Sequence, residues 1–339
     1  MKLKVATAFS GAGLSAYALR KMGCELVFGI ECDPQIAKTY RDNHGDRLIV
    51  GRIEDVVSTV DLTEMIQPGE LDLFQASPSC KEFSKVNTLG NPGINDELAI
   101  AGLSKVVDIL QPKIIVIEQV REFLNHPIKR RLTRNLEASY RLSHQILNAA
   151  DFGTPQKRER LFITGIRKDL FGNPKIEIPA MMKYQDWYGA IADLIQPTDY
   201  YTPYKNSWHR CGVMARSDLP ARLNKIIESV PPSLVPVAIE LVGTGKTSKG
   251  IYPSGKPFHT IRAFGRKSDG QWHRHVILFP DGRIVKFTPR MLARLMGLQD
   301  DFYLPNRDCL AGEVLGNGVC VEVMQAIARQ LLNQVVQNA

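Results

Sequence analysis

The first third of the chain alternates short apolar runs with amphipathic stretches. That rhythm restricts the fold strongly, because parallel strands must be joined by long crossovers, usually helices. Val5 to Phe9 reads as a strand, Leu14 to Met22 as a helix, Glu25 to Ile30 as a second strand, and Pro34 to Asn43 as a helix opened by proline. Ile53 to Ile66 reads as a third helix, Leu71 to Ala76 as a strand, and Leu98 to Leu110 as a helix. Lys113 to Ile117 and Leu161 to Ile166 are near-continuous apolar runs of the kind that parallel sheets bury on both faces. The pattern predicts a doubly wound α/β domain. Beyond about Asp169 the rhythm gives way to a stretch rich in Pro, Gly and aromatics, from Phe171 to about Arg283. Helical patterning returns at Pro289 to Met296 and at Val319 to Val335. The expected partition is therefore a domain of residues 1–170 plus 306–339, and a second, smaller one of residues 171–305.

A chain of 339 residues fits one large domain with an insertion, or two domains. Met1 to Val5 runs directly into a strand, and no apolar stretch approaches the ~18 residues of a bilayer span, so the expectation is a cytoplasmic protein without a membrane partner. The six cysteines (Cys24, Cys32, Cys80, Cys211, Cys309, Cys320) form no Cys-x-x-Cys pair, which predicts reduced thiols and neither zinc nor disulfides. The formal charge of +8 is concentrated: Lys246 to Arg290 holds ten Lys and Arg against two Asp. A surplus confined to one segment points to a polyanion, with nucleic acid the usual partner.

Three places carry residues suited to chemistry. Phe9-Ser10-Gly11-Ala12-Gly13 lies at the first strand-to-helix turn, where backbone N–H groups can meet a ligand at a helix start, and Glu31 ends the second strand roughly twenty residues on, where a carboxylate can accept ribose hydroxyls. Cys80 stands just past the strand Leu71 to Ala76, opening a turn-rich loop that runs to Asn95 and includes Gly90, Pro92 and Gly93. A thiol there is presented more than packed and would attack as the thiolate, although on position alone a half-buried structural cysteine at a strand end is the commoner case. Glu118 ends the strand Lys113 to Ile117, so that parallel neighbours would direct Cys80 and Glu118 to one rim. Gln156-Lys157-Arg158-Glu159-Arg160 enters the strand at Leu161, and period-2 alternation would place Arg158 and Arg160 on one face, where they could bind an anion or a carbonyl oxygen.

In this order, these segments resemble the motifs of the DNA cytosine-5 methyltransferases. Phe9-x-Gly11-x-Gly13 is similar to the family's cofactor turn, Glu31 to its ribose-binding acid, Cys80 to its catalytic cysteine, and Glu118-Gln119-Val120 to its Glu-Asn-Val motif. Phe152 to Arg160 matches the Gln-x-Arg-x-Arg motif with its lead-in. Thr288-Pro289 to Gly297, with Asp300-Asp301-Phe302, resembles the ninth motif, and Gly316-Asn317-Gly318-Val319 the tenth. The interval from Phe171 to about Arg283 falls where the family has its variable target-recognition region. The chain departs from the family pattern at Ser79 and Lys81 around the cysteine, at Gln119, at Leu14 in place of a third glycine, and at Cys32 and Arg52 near the expected adenine site.

The resemblance implies a Rossmann-like S-adenosylmethionine-dependent methyltransferase fold with a smaller target-recognition domain. It implies S-adenosyl-L-methionine as cofactor, held by Phe9, Gly11, Gly13, Leu14, Glu31, Asn317 and Val319. Cys80, Glu118, Arg158 and Arg160 are the catalytic set it implies: Cys80 adds to ring carbon 6 of a flipped-out cytosine, Glu118 bonds ring nitrogen 3, Arg160 meets the base's carbonyl oxygen and Arg158 supports the loop. The implied partner is double-stranded DNA, bound by a monomer of bacterial or phage origin, with a cognate restriction endonuclease as one option. A related tRNA cytosine methyltransferase and a DNA-binding pseudoenzyme stay open as alternatives. The long segment from Phe171 to Arg283, basic in its second half, favours duplex DNA over tRNA, and retention of Cys80, Glu118 and Arg160 counts against the pseudoenzyme.

Overall fold

The computed structural model describes residues 2–78, 94–179, 185–195, 213–214, 225, 228–231, 233, 236–240, 250–263, 275–280 and 283–336. By its contacts the chain divides into two units. The first comprises Met1–Phe152, Glu159–Met181 and Gly318–Ala339; the second comprises Gly153–Arg158 and Met182–Asn317. The boundaries fall later than the composition change in the sequence, and the short run 153–158 belongs to the second unit.

The first unit is built on β1 (Lys4–Ala8), β2 (Glu25–Glu31), β3 (Leu48–Val50), β4 (Leu73–Ala76), β5 (Ile114–Gln119), β6 (Tyr140–Asn148) and β7 (Glu159–Arg167), in the sheet order β3-β2-β1-β4-β5-β7-β6. The first five strands in that order run parallel. Helices α1 (Leu14–Lys21), α2 (Pro34–His44), α3 (Ile53–Thr59) and α4 (Ile94–Leu110) supply the crossovers. This is the α/β fold with a parallel-dominated sheet that the rhythm predicted. Every residue of β4 and β5 is buried, as strands covered on both faces must be. Around them Phe28, Phe74, Leu103, Ile115 and Phe123 form the core.

Three expectations are revised. The helix read over Ile53 to Ile66 stops at Thr59: Val60 is extended, and Asp61 caps a separate 3-10 turn, Leu62–Glu64, through the Thr63 N–H. Helix α5 (Pro127–Glu137) and strand β6 were not foreseen. The strand at Leu161 is not parallel to its neighbour: β7 pairs antiparallel with both β5 and β6. It therefore begins at the rim where β4 and β5 end.

The second unit carries a five-stranded sheet, β10 (Ile251–Pro253), β9 (Val237–Glu240), β11 (His275–Leu278), β12 (Ile284–Lys286) and β8 (Val213–Met214), in that order. All of its pairings are antiparallel. Val237, Ile239, Val276, Leu278 and Ile284 make its apolar layer. Trp187 and Phe258, both fully buried, pack edge to face nearby, and the indole N–H donates to the Pro253 carbonyl at 2.9 Å. Helices α6 (Pro289–Leu295) and α7 (Asp308–Asn317) complete this unit, whereas α8 (Val321–Val336) packs against α1 in the first.

The stretch Asp308–Val335 is long and apolar enough to cross a membrane, against the expectation from sequence. It is two helices rather than one, and 67 % of its apolar window is buried within the protein, the pattern of core helices.

Candidate active site

The rim of the first unit's sheet gathers charge because of how its strands are directed. Parallel β4 and β5 end side by side, with Ala76 opposite Ile117, and antiparallel β7 starts there, with Phe162 opposite Glu118. Residues directly opposite share a face, and so do residues two apart in one strand. Arg160 is thus diagonal to Glu118 on one face, and its Nε lies 3.2 Å from Glu118 Oε1. Both side chains are largely withdrawn from water, at 18 % and 8 % exposure, so the pair acts in a medium where charge and hydrogen bonding weigh more than at the surface. Arg160 Nη1 also donates to the Glu159 carbonyl.

The approach to Cys80 is fixed from the same rim. Gln119, 1 % exposed, donates from Nε2 to the Pro78 carbonyl at 2.8 Å and accepts the Val120 N–H at its own Oε1. Ser77 is held by its N–H on the Ala8 carbonyl and by its hydroxyl, which accepts from Gln75 Nε2. Cys80 and the loop that follows it lie outside the described residues. Gln119 was noted in the sequence only as a departure; its amide was not foreseen as the anchor of this chain end, because the contact spans 41 residues.

The glycine turn is held in an unusual backbone conformation. Phe9, Gly11 and Gly13 all have positive φ, of 51°, 57° and 86°, a left-handed series that glycine adopts easily and phenylalanine does not. The Glu31 carboxylate accepts the Gly11 N–H at 2.8 Å on one oxygen and the Asp33 N–H at 2.9 Å on the other. Each oxygen retains acceptor capacity for a hydroxyl. No described atom lies within 4 Å of where a Gly11 Cβ would stand. Leu14 opens α1 and is buried, so its side chain packs inside and a glycine is not required there. Of the other departures, Arg52 pairs with Glu54 at 2.6 Å, which offsets its charge, and Cys32 is exposed.

The remaining predicted residues divide between the two units. Val319 is buried just ahead of α8 in the first unit; Asn317 ends α7 in the second and is exposed. Arg158 and Arg160 do not share a face, contrary to the alternation argument, because Arg158 precedes the first residue of β7. Arg158 is 3 % exposed in the second unit, where its two terminal nitrogens donate to the carbonyls of Ile261 (2.9 Å) and Gly316 (2.8 Å). Gln156, fully buried beside it, donates to the Leu295 carbonyl and accepts the Ile261 N–H. These two side chains bind segments of the second unit together.

The basic segment is only partly described. Lys246, Lys249, Arg266, Lys267 and Arg274 lie outside the described residues. Of those described, Lys256 and Arg262 are exposed, Arg283 stands over the Phe279 ring, and Arg290 donates to the carbonyls of Gln299 and Phe302. No group of three or more His, Cys, Asp or Glu suited to a metal is found among the described residues.

Comparison with known proteins adds three findings. The model of the family described as C-5 cytosine-specific DNA methylase matches residues 3–333. The type II methyltransferases M.HpaII of Haemophilus parainfluenzae and M.HhaI of Haemophilus parahaemolyticus are 27 % identical over 337 residues and 26 % identical over 329 residues. The matches cover 96 % and 94 % of this chain and 88 % and 91 % of those proteins. A prophage-encoded E. coli protein, solved as a candidate DNA modification methyltransferase, shares the fold with a TM-score of 0.70 at 17 % identity, covering 99 % of this chain and 100 % of that one.

Proposed function

We propose, from the premise that this chain belongs to the C-5 cytosine-specific DNA methylase family, that it methylates cytosine in duplex DNA at carbon 5 through a covalent Cys80 adduct, with S-adenosylmethionine as methyl donor. The observation that carries this reading is the Glu118–Arg160 pair, withdrawn from water at the rim to which Gln119 ties the chain leading to Cys80. Cys80 is two residues beyond Pro78, a span that extended chain covers in roughly 7 Å.

Carbon 5 of cytosine is a weak nucleophile, so electrons must first be driven into the ring. The Cys80 thiolate forms a bond to carbon 6, and the displaced ring electrons make carbon 5 nucleophilic. Glu118 shares a proton with ring nitrogen 3 and offsets the negative charge that grows there; Arg160 bonds the ring's carbonyl oxygen. When bound, the sulfonium cofactor supplies an electrophilic methyl group. Loss of the carbon 5 proton to a water molecule then returns its bonding electron pair to the ring and expels Cys80 as the thiolate by elimination. Because carbon 5 and carbon 6 are stacked within a duplex, the target base must be flipped out to reach the rim.

The chain's residues fit an adenosine-containing cofactor. Glu31 offers two acceptors to ribose hydroxyls, and Gly11 leaves space over the turn. The first unit is proposed as catalytic and cofactor-binding, and the second as the reader of target sequence, with Asn317 and Val319 at their junction in the chain serving the cofactor. We place the protein in a bacterial or phage-infected cytoplasm, acting as a monomer. A cognate restriction endonuclease is a companion that the type II relatives suggest.

Bisulfite sequencing of a plasmid from cells expressing this chain tests the reading. Protected cytosines in one sequence context are expected with the natural chain, and none with Cys80→Ala. An unprotected plasmid, with methyl transfer to tRNA instead, would overturn the choice of duplex DNA.

A further inference from the structure

His44, the last residue of α2, is buried behind the glycine turn and is absent from the machinery above. Its Nε2 lies 2.9 Å from the Gly13 carbonyl, and its Nδ1 lies 3.1 Å from Arg20 Nη1. A guanidinium can only donate, so Nδ1 must be the acceptor and the ring proton must reside on Nε2. His44 therefore donates to Gly13. The same carbonyl accepts the Tyr17 N–H at 2.8 Å, the first hydrogen bond of α1.

Gly13 is the N-cap of α1 and has no side chain with which to cap that helix, so its placement depends on what holds its backbone. A turn with left-handed backbone at residues 9, 11 and 13 has a cost of its own, concentrated at Phe9, so the surroundings must hold it. Glu31 holds the Gly11 N–H from β2, and His44 holds the Gly13 carbonyl from α2. The fit is close: a Cβ on Gly13 would stand 2.3 Å from His44 Nε2 and 2.9 Å from the Tyr40 ring. Tyr40 in turn meets the imidazole edge-on, with ring centroids 4.8 Å apart. Because a trans peptide points C=O and N–H in opposite directions, fixing the Gly13 carbonyl toward α2 aims the Leu14 N–H away from α2.

We propose that His44 is a positioning residue for the cofactor: as a neutral Nε2–H donor it fixes the 13–14 peptide, and with it the shape of the turn against which S-adenosylmethionine binds. Burial agrees with the neutral form, pushing the imidazole down to about 4, with Arg20 acting in the same direction and the Gly13 carbonyl against it. The inference rests on the cofactor reading given above.

Calorimetric titration of the full chain with S-adenosylmethionine tests it in three proteins. His44→Phe keeps a ring against Tyr40 but has no donor, and should bind about tenfold more weakly, the worth of one well-placed hydrogen bond. His44→Gln restores an N–H at the same reach and should return affinity to within about threefold of the natural chain. Duplex DNA binding without cofactor should be alike in all three, which separates loss of the turn from loss of the fold. Equal cofactor affinity in His44→Phe, or a His44→Gln no better than His44→Phe, overturns the proposal. A natural chain that does not bind S-adenosylmethionine overturns the cofactor reading itself. Without any substitution, a long-range 1H–15N spectrum should show His44 protonated at Nε2, and protonation at Nδ1 would contradict the assignment.

Discussion

Gln119 reaches across the rim to the carbonyl of Pro78, so the residue after the proposed acid also anchors the chain two residues before the proposed nucleophile. The family motif to which this segment is similar has asparagine here, one methylene shorter. Gln119→Asn should therefore fail to hold Pro78 and lower kcat by about tenfold, the worth of one buried hydrogen bond, while KM for S-adenosylmethionine stays near its natural value. Steady-state methyl transfer measures both. An unchanged kcat would show that the contact does not serve the nucleophile.

Arg158 is expected to matter for the second unit rather than for the reacting base. Arg158→Ala would leave the buried carbonyls of Ile261 and Gly316 without these donors and should destabilise that unit by roughly 2–4 kcal/mol. DNA binding should fall while cofactor binding persists. Limited proteolysis, with early cleavage within 182–317, is the check. A variant with natural DNA affinity and proteolytic resistance would return Arg158 to a catalytic role.

Acid should act through two histidines, one in each unit. Burial pushes His44 and His259 down to about 4, with Arg20 adding to the effect in the first case and Arg262 in the second. The unfolded chain takes up these protons near pH 6.5, so between pH 6.5 and 4 the unfolded state holds more protons than the folded one. The stabilisation is complete above that window and lost as pH falls through it, by roughly 2 kcal/mol per histidine at pH 5. Urea unfolding at pH 7.5 and pH 5 measures this, and His44→Gln should flatten the loss for the first unit only. Stability that is level across the window would contradict the burial argument.

Much of this was legible in the sequence because local signals and tertiary structure agreed there. The strands ending at Ala76 and near Glu118, the turn at Phe9 to Gly13 and the acid at Glu31 all follow from apolar runs closed by glycine or charge. Strand β6 was not legible, because Tyr140 to Asn148 is mostly half-buried and mixes polar with apolar residues, so neither period shows. Helix α5 reads as a charge run until Ile128, Leu132 and Leu136 are seen as one buried stripe. Strand direction leaves no mark on composition, so β7 was taken as parallel and its start misplaced relative to Arg158. The roles of Gln119 and His44 depend on contacts across 41 and 31 residues, which no local pattern carries.

The most direct test of the central claim is a trap. Duplex DNA with 5-fluorocytosine at the target position should form a covalent adduct with the chain, since fluorine cannot leave carbon 5 as a proton does and Cys80 then cannot be expelled. Mass spectrometry of the digested adduct should place the modified base on Cys80, in the presence of S-adenosylmethionine and not in its absence. An adduct that survives Cys80→Ser, or one mapped to another residue, would contradict the account.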